Sequence, residues 1–256
     1  MENTLPKDVD MYLGELVRRL IEYFGDQLVG VYLFGSASYG AFEPGLSDLD
    51  VQAIVKDSLS APDKENIVSC LGQEALPCPA TKLEFVLYAQ TSVNPANRHP
   101  RFELNLNTGP HQQHHVSFDP TQEASHWFLL DIAMGRQLGR CLHGLSIQEA
   151  FTEIPRIWIL DAMADSLGWH GMNEPNSANS VLNACRSWQY MVSGEFSSKA
   201  KGARWALLQK NCPPVVESAI EARHTGEKLP GGEVLELYQI VLRINREERE
   251  KFLNSI

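Results

Sequence analysis

Along this chain the spacing of apolar residues switches between a helical period and a strand period. Residues 8–24 (DVDMYLGELVRRLIEYF) place Val9, Tyr12, Leu13, Leu16, Val17, Leu20 and Phe24 at helical spacing. Asp8 and Asp10 stand near the start and Gly25 at the end, so the pattern predicts an amphipathic helix that packs on a sheet. Residues 28–34 (LVGVYLF) form an apolar run that reads as a buried strand, broken by Gly35-Ser36. A second strand is expected over 47–55 (SDLDVQAIV), then a helix around Ala61–Leu71, a loop with Pro77 and Pro79, and a third strand over 82–88 (KLEFVLY). Residues 101–107 (RFELNLN) alternate like a strand and run into Thr108-Gly109-Pro110. A helix is predicted over 125–142, with Trp127, Leu130, Asp131, Met134 and Leu138 along one side.

Residues 151–155 read as a link. Beyond them every segment is helical in pattern, over 156–168, 178–194, 199–210, 213–224 and 233–254, and no further strand is expected. The fold class is therefore α/β followed by all-α, with domains over 1–150 and 151–256.

Composition narrows the setting. With 43% hydrophobic and 21% charged residues, the chain has the make-up of a globular protein. No apolar run approaches the ~20 residues that cross a bilayer, and residues 1–7 (MENTLPK) lack the apolar core of a signal peptide. Five cysteines, odd in number and without CxxC spacing, suit reduced thiols in a cytoplasm rather than a disulfide or zinc framework. A net charge of −10 disfavours nucleic acid and anionic membranes as partners. The charge is compatible with a small cationic ligand, although solubility explains it equally well.

Candidate chemistry concentrates between residues 28 and 55. Side chains alternate along a strand, so Asp48 and Asp50 point to one side, roughly 7 Å apart along the backbone. Two carboxylates aimed at one spot repel unless a cation separates them, and hard oxygens of this kind suit Mg²⁺. Gly35, without a Cβ, lets backbone N–H groups and the Ser36 hydroxyl come close to a phosphate at the start of a helix. Glu84 faces opposite to Leu83 and Phe85 in an otherwise apolar strand. A carboxylate there is costly unless paired, or it faces solvent on an edge. His111, His114 and His115 form an HxxHH cluster able to bind a transition metal, but no fourth ligand follows at a usual spacing and polar loops often collect histidines. Arg186 and Lys199 are isolated basic residues, ordinarily solvated.

Gly35-Ser36, a gap, then Asp48-Leu49-Asp50 resembles the GS…DxD signature of the nucleotidyltransferase superfamily. The flanking LVGVYLFGSA and SDLDV are most similar to the aminoglycoside adenylyltransferases acting on streptomycin and spectinomycin. The resemblance implies an N-terminal nucleotidyltransferase domain of polymerase beta-like type with a mixed sheet, and a C-terminal helical bundle that binds substrate. It implies Mg²⁺-dependent transfer of AMP from ATP to a hydroxyl of an aminoglycoside-like cationic acceptor, with pyrophosphate released, by a cytoplasmic monomer.

By the same resemblance Asp48 and Asp50 hold the metals, and two-metal clamping of the attacking and leaving oxygens is the mechanism expected. Glu84 matches the family's third carboxylate, assigned as general base, and it can also touch metal. Gly35, Ser36 and Ser47 hold phosphate. Arg186, in Arg186-Ser187-Trp188, and Lys199, which follows Gly194 at the family's spacing, match residues that contact the nucleotide's phosphates.

The acceptor side departs from the pattern. The loop expected over 168–176 keeps Trp169 and Glu174 as acceptor-binding candidates but has Asn176 where an Asp is expected. Ala222-Arg223-His224-Thr225-Gly226 stands where relatives show Ala-Arg-x-x-Tyr. Two other readings are a transferase acting on a protein, against which the long helical part argues, and a non-catalytic nucleotide-binding regulator. A regulator would be expected to lose a carboxylate, and all three are present.

Overall fold

A computed structural model describes residues 5–110 and 112–254. It divides into two compact units, Met1–Ile154 and Pro155–Ile256. In chain order the first unit contains α1 (Lys7–Phe24), β1 (Leu28–Phe34), α2 (Gly35–Ser38), β2 (Leu49–Val55), α3 (Ala61–Leu71) and β3 (Leu83–Ala89). It continues with α4 (Gln90–Val93), β4 (Phe102–Gly109), β5 (Gln112–Ser117), α5 (Ser125–Leu138), β6 (Arg140–Gly144) and α6 (Ile147–Ala150). The strands form one sheet in the order β5-β4-β3-β2-β1-β6. β2 and β3 are parallel, and the other neighbours are antiparallel. The sheet is mixed, as expected.

Every residue of β1 is buried, because both faces of the sheet are covered. Alternation sends Val31, Leu33, Leu49, Val51, Ala53, Leu83, Phe85 and Leu87 into one core with Val9, Leu13, Leu16 and Leu20 of α1. The intervening residues Tyr32, Phe34, Asp50 and Glu84 therefore face the other way. On that side Phe151 packs against Tyr32 and Phe34, with ring centroids 5.2 and 5.6 Å apart. α5 presses onto Phe34 through glycine: a Cβ on Gly135 would lie 2.3 Å from the Phe34 ring.

Two strands go beyond the expectations. The helix predicted over 125–142 stops at Leu138, and after Gly139 the chain becomes β6, antiparallel to β1. A Cβ on Gly139 would lie 2.5 Å from the Gly135 carbonyl oxygen, so the turn off the helix is made where no side chain obstructs it. β5 carries the polar run QQHHVS on the opposite edge, where it lacks the apolar run that marks the inner strands.

The second unit is helical throughout: α7 (Arg156–Asn173), α8 (Ala178–Ser193), α9 (Lys199–Leu207), α10 (Val215–Thr225) and α11 (Gly231–Leu253). α8 is its centre, packed by the other four. α7 runs one and a half turns past its predicted end and takes in Gly168-Trp169-His170-Gly171, expected as loop. Each interior glycine costs a helix about 1 kcal/mol, which burial of Leu167 and His170 offsets. Among the described residues no helix is long and apolar enough to cross a membrane.

Candidate active site

Asp50 and Glu84 are register partners across the parallel β2–β3 pair, and Phe34 pairs with Asp50 on the other side. Like charges placed side by side on one face of a sheet destabilise it, so this pairing is a cost that the fold carries. Asp48, immediately before β2, joins them: one ligand oxygen from each of Asp48, Asp50 and Glu84 lies within 4.8 Å of the others. Among the described residues this is the one group of three or more His, Cys, Asp or Glu able to hold a metal ion. Burial pushes the Asp50 carboxyl well above the usual carboxylate range, and the charges of Asp48, Glu84 and Asp131 push it further. Asp131, on α5, was legible in the sequence only as a position on a helix face. The Lys82 ammonium opposes that shift and is ion-paired with Glu84.

Gly35 has a role in this cluster beyond the one read from sequence. Its φ is +59°, and a Cβ built on it would lie 1.6 Å from Asp50 Oδ2. The missing side chain is thus the space that Asp50 occupies. Ser36 Oγ is buried without a hydrogen-bond partner among the described residues, a costly state for a hydroxyl. Ser47 is buried and is committed to its own loop. Its Oγ accepts the Glu43 N–H at 2.9 Å, and its carbonyl accepts the Thr81 hydroxyl at 2.9 Å.

Of the histidine cluster, His114 and His115 do not converge. His111 lies outside the described residues. His114 and His115 are adjacent on β5, so their side chains leave opposite faces. His114 Nδ1 is 3.2 Å from Thr108 Oγ1, and His115 Nε2 is 2.8 Å from Glu123.

In the helical unit Arg186 is the one residue between Val181 and Met191 that is not fully buried. It therefore does not sit on an ordinary solvated helix face. α9 crosses α8 at this point: a Cβ on Gly202 would lie 2.7 Å from Arg186 Cα, and Trp188 meets Trp205 edge-on at 5.7 Å. Lys199 is the first residue of α9, where Ser198 caps the helix through the Lys201 N–H. A cavity of about 230 Å³ beside the N-terminus of α8 is lined by Ser177, Asn179, Lys199, Arg223, Glu227 and Lys228, among others. It gathers three cations from separate segments. Sequence reading singled out only Lys199 as a site residue, because no local spacing links the three.

The acceptor candidates lie at the α7–α8 connection. Trp169 is half-buried on α7, its ring edge-on to His170 at 5.3 Å. Glu174 pairs with His170 Nδ1 at 3.0 Å and accepts the Asn179 amide at 2.7 Å, while His170 Nε2 meets the Asn183 amide at 3.1 Å. Burial holds the His170 pKa below its ordinary value; Glu174 opposes this, and the charges of Lys199 and Arg186 add to it. Asn176 has φ +63°, a conformation that few residues other than glycine take, and its carbonyl accepts the Leu229 N–H at 2.9 Å.

Comparison with known proteins gives a consistent result. Residues 149–233 match the family model described as aminoglycoside adenylyltransferase, C-terminal domain. The chain is 28% identical over 224 residues to a spectinomycin 9-adenylyltransferase of Staphylococcus aureus, covering 81% of each. It is 24% identical over 202 residues to one of Campylobacter jejuni, covering 77% of this chain and 78% of that one. The fold matches spectinomycin adenyltransferase AAD(9) from Enterococcus faecialis, solved with ATP and spectinomycin. That match has a TM-score of 0.68 at 17% identity and covers 94% of this chain and 99% of that one. Residues 149–233 thus match the C-terminal domain model of the aminoglycoside adenylyltransferases, and the chain is similar to spectinomycin adenylyltransferases in sequence and to one of them in fold.

Proposed function

We propose that this protein transfers AMP from ATP to a hydroxyl of a small cationic acceptor of the aminoglycoside class, depends on Mg²⁺ and releases pyrophosphate. The observation that carries the reading is the convergence of Asp48, Asp50 and Glu84 beside a glycine that leaves them room. The donor set fits a hard divalent cation. It offers three carboxylates; burial, and after it the charges of Asp48 and Glu84, hold the Asp50 carboxyl above its usual range. Asp48 and Asp50 would hold Mg²⁺, which when bound neutralises phosphate charge during transfer.

Glu84 accepts the proton of the acceptor hydroxyl as it attacks the α-phosphorus; the bond to the pyrophosphate oxygen breaks, and pyrophosphate leaves. Gly35 and the unpartnered Ser36 hydroxyl are assigned to phosphate. Ser47 holds the loop that leads to Asp48 in addition to the phosphate role the resemblance implies. Arg186 and Lys199 are assigned to phosphate on their charge and on the family's pattern, as electrostatic support for the leaving group. Trp169, Glu174 and Asn176 remain the assigned acceptor contacts. The names of the relatives support spectinomycin as the first acceptor to try.

The test is incubation of the protein with MgATP and a panel of aminoglycosides, read by mass spectrometry for an AMP adduct. An adduct on spectinomycin or streptomycin is expected. Glu84→Gln should abolish the adduct while leaving ATP binding intact, and normal turnover by that variant would remove Glu84 from the role of base. No adduct on any acceptor, with ATP bound, would overturn the acceptor class.

A further inference from the structure

A row of polar side chains runs outward from the carboxylate cluster, and the roles above leave its outer half unused. Register places Phe34, Asp50, Glu84, Asn107 and His115 side by side across β1, β2, β3, β4 and β5. Residues opposite one another share a face, so all five side chains leave the sheet on the same side. Neighbouring strands lie about 4.8 Å apart, which sets Asn107 and His115 about 5 and 10 Å beyond Glu84. The cover over this face ends at the row. In the next row Gln52 and Asn105 are 2% and 8% exposed, whereas the Glu84 and His115 side chains are 33% and 52% exposed. Asn107 is half-buried, and its amide donates to Asn105 Oδ1 at 3.3 Å, which ties it to the covered part of the face. At the outer end His115 Nε2 is 2.8 Å from Glu123 Oε1.

The two ends of the row differ in role. Gly35 and Ser36, assigned to phosphate, follow directly on Phe34 at the β1 end. Attacking and leaving oxygens lie roughly in line in this kind of transfer, so an acceptor whose hydroxyl meets Glu84 extends towards β4 and β5. Resting on the transferase reading above, we propose that Asn107 and the His115–Glu123 pair form an acceptor subsite on the sheet: Asn107 takes a second hydroxyl, and Glu123, positioned by His115, takes the acceptor's cationic group. Charge orients the acceptor along the row. The Lys82 ammonium, hydrogen-bonded to Glu84 Oε1, repels a cation at the inner end, and the Glu123 carboxylate attracts one at the outer end. His115, one of the histidines that suggested a metal, thereby has a role as the partner of a carboxylate.

The test is steady-state adduct formation by the full-length protein with MgATP and spectinomycin, or streptomycin if that alone is modified, with the KM of each substrate measured separately. The proteins compared are wild type, Glu123→Gln, Glu123→Asp, Glu123→Ala, His115→Ala and Asn107→Ala. Glu123→Gln keeps the shape and removes the charge. It should raise the acceptor KM about tenfold and leave kcat and the ATP KM within about twofold of wild type. Glu123→Asp retains the charge and should recover to within about threefold of wild type, and Glu123→Ala gives the same comparison if the Gln variant does not fold. His115→Ala and Asn107→Ala should each raise the acceptor KM about threefold. An acceptor KM unchanged in the neutral Glu123 variants, or an equal rise in both KM values, would overturn the proposal. The two levels of inference separate in the wild type. If it binds ATP but forms no adduct on any acceptor, the acceptor reading fails and takes the subsite with it; if it forms the adduct and the neutral Glu123 variants match it, only the subsite fails.

Discussion

Gly35→Ala is the substitution whose consequence follows most directly from the geometry. Two costs arise, and they are separable. The backbone at φ +59° is left-handed, which costs a residue with a Cβ about 1–2 kcal/mol. The added Cβ would also start 1.6 Å from Asp50 Oδ2, where ordinary contact begins at 3.4 Å, so the carboxylate has to retreat by about 1.8 Å. A carboxylate at the end of a side chain can rotate, so the second cost falls on the position of a metal ligand more than on stability. A catalytic group misplaced by about 1 Å costs on the order of 100-fold, equivalent to roughly 2.7 kcal/mol of transition-state stabilisation. We expect a fall in melting temperature of a few degrees and a loss of at least about 100-fold in kcat/KM. The assay is adduct formation on spectinomycin with MgATP, beside thermal melts of Gly35→Ala in the wild-type and Asp50→Ala backgrounds. The Asp50→Ala background removes the clash with the carboxylate and should leave the backbone cost together with a tight contact, at 3.1 Å, to the Cβ of residue 50. A kcat/KM within threefold of wild type would refute the reasoning, because it would mean that the position of Asp50 does not depend on the missing Cβ.

Asp50 also predicts a pH dependence. The folded state raises its carboxyl, whereas the unfolded chain ionises near pH 4. The folded state thus binds the extra proton, and its stability falls as pH rises from about 4 towards the raised value. In EDTA, Asp50→Asn should be more stable than wild type at pH 8, with the difference closing towards pH 4 and shrinking when Mg²⁺ is added to wild type. Denaturant melts across that range check it, and a difference independent of pH would count against it. Gly202→Ala sets a Cβ against the Arg186 backbone at 2.7 Å, which cannot yield cheaply. Overpacking of this kind costs about 1–3 kcal/mol, so an unchanged melting temperature would show that the α8–α9 crossing is looser than described. Lys199→Ala and Arg223→Ala each remove a cation from the cavity at the N-terminus of α8. Each should weaken ATP binding about tenfold by calorimetry, with a reduced dependence on salt, and equal affinity would exclude that cavity from phosphate binding.

Much of this protein is carried by local pattern. The apolar run of β1, the periodicity of α1 and the limits of α3 follow from side-chain alternation and helical spacing, which neighbouring residues determine among themselves. The GS…DxD pair and the α/β-then-helical order were legible for the same reason. Tertiary structure decided what depends on partners distant in the chain. No spacing rule makes Asp50 and Glu84 register partners, since register is set when β2 and β3 pair. The closeness of Gly35 to Asp50 comes from the pairing of β1 with β2, where Phe34 meets Asp50. The edge strands β5 and β6 lack the buried apolar run of the inner strands, because one is polar and solvated and the other follows directly on a helix. His114 and His115, adjacent in sequence, are driven apart by the strand they form. Asn176 takes its conformation from the backbone it meets at Leu229, and α7 runs through two glycines because its buried face outweighs their cost. Local residues specified the elements and the chemical groups, and long-range pairing selected which of those groups meet.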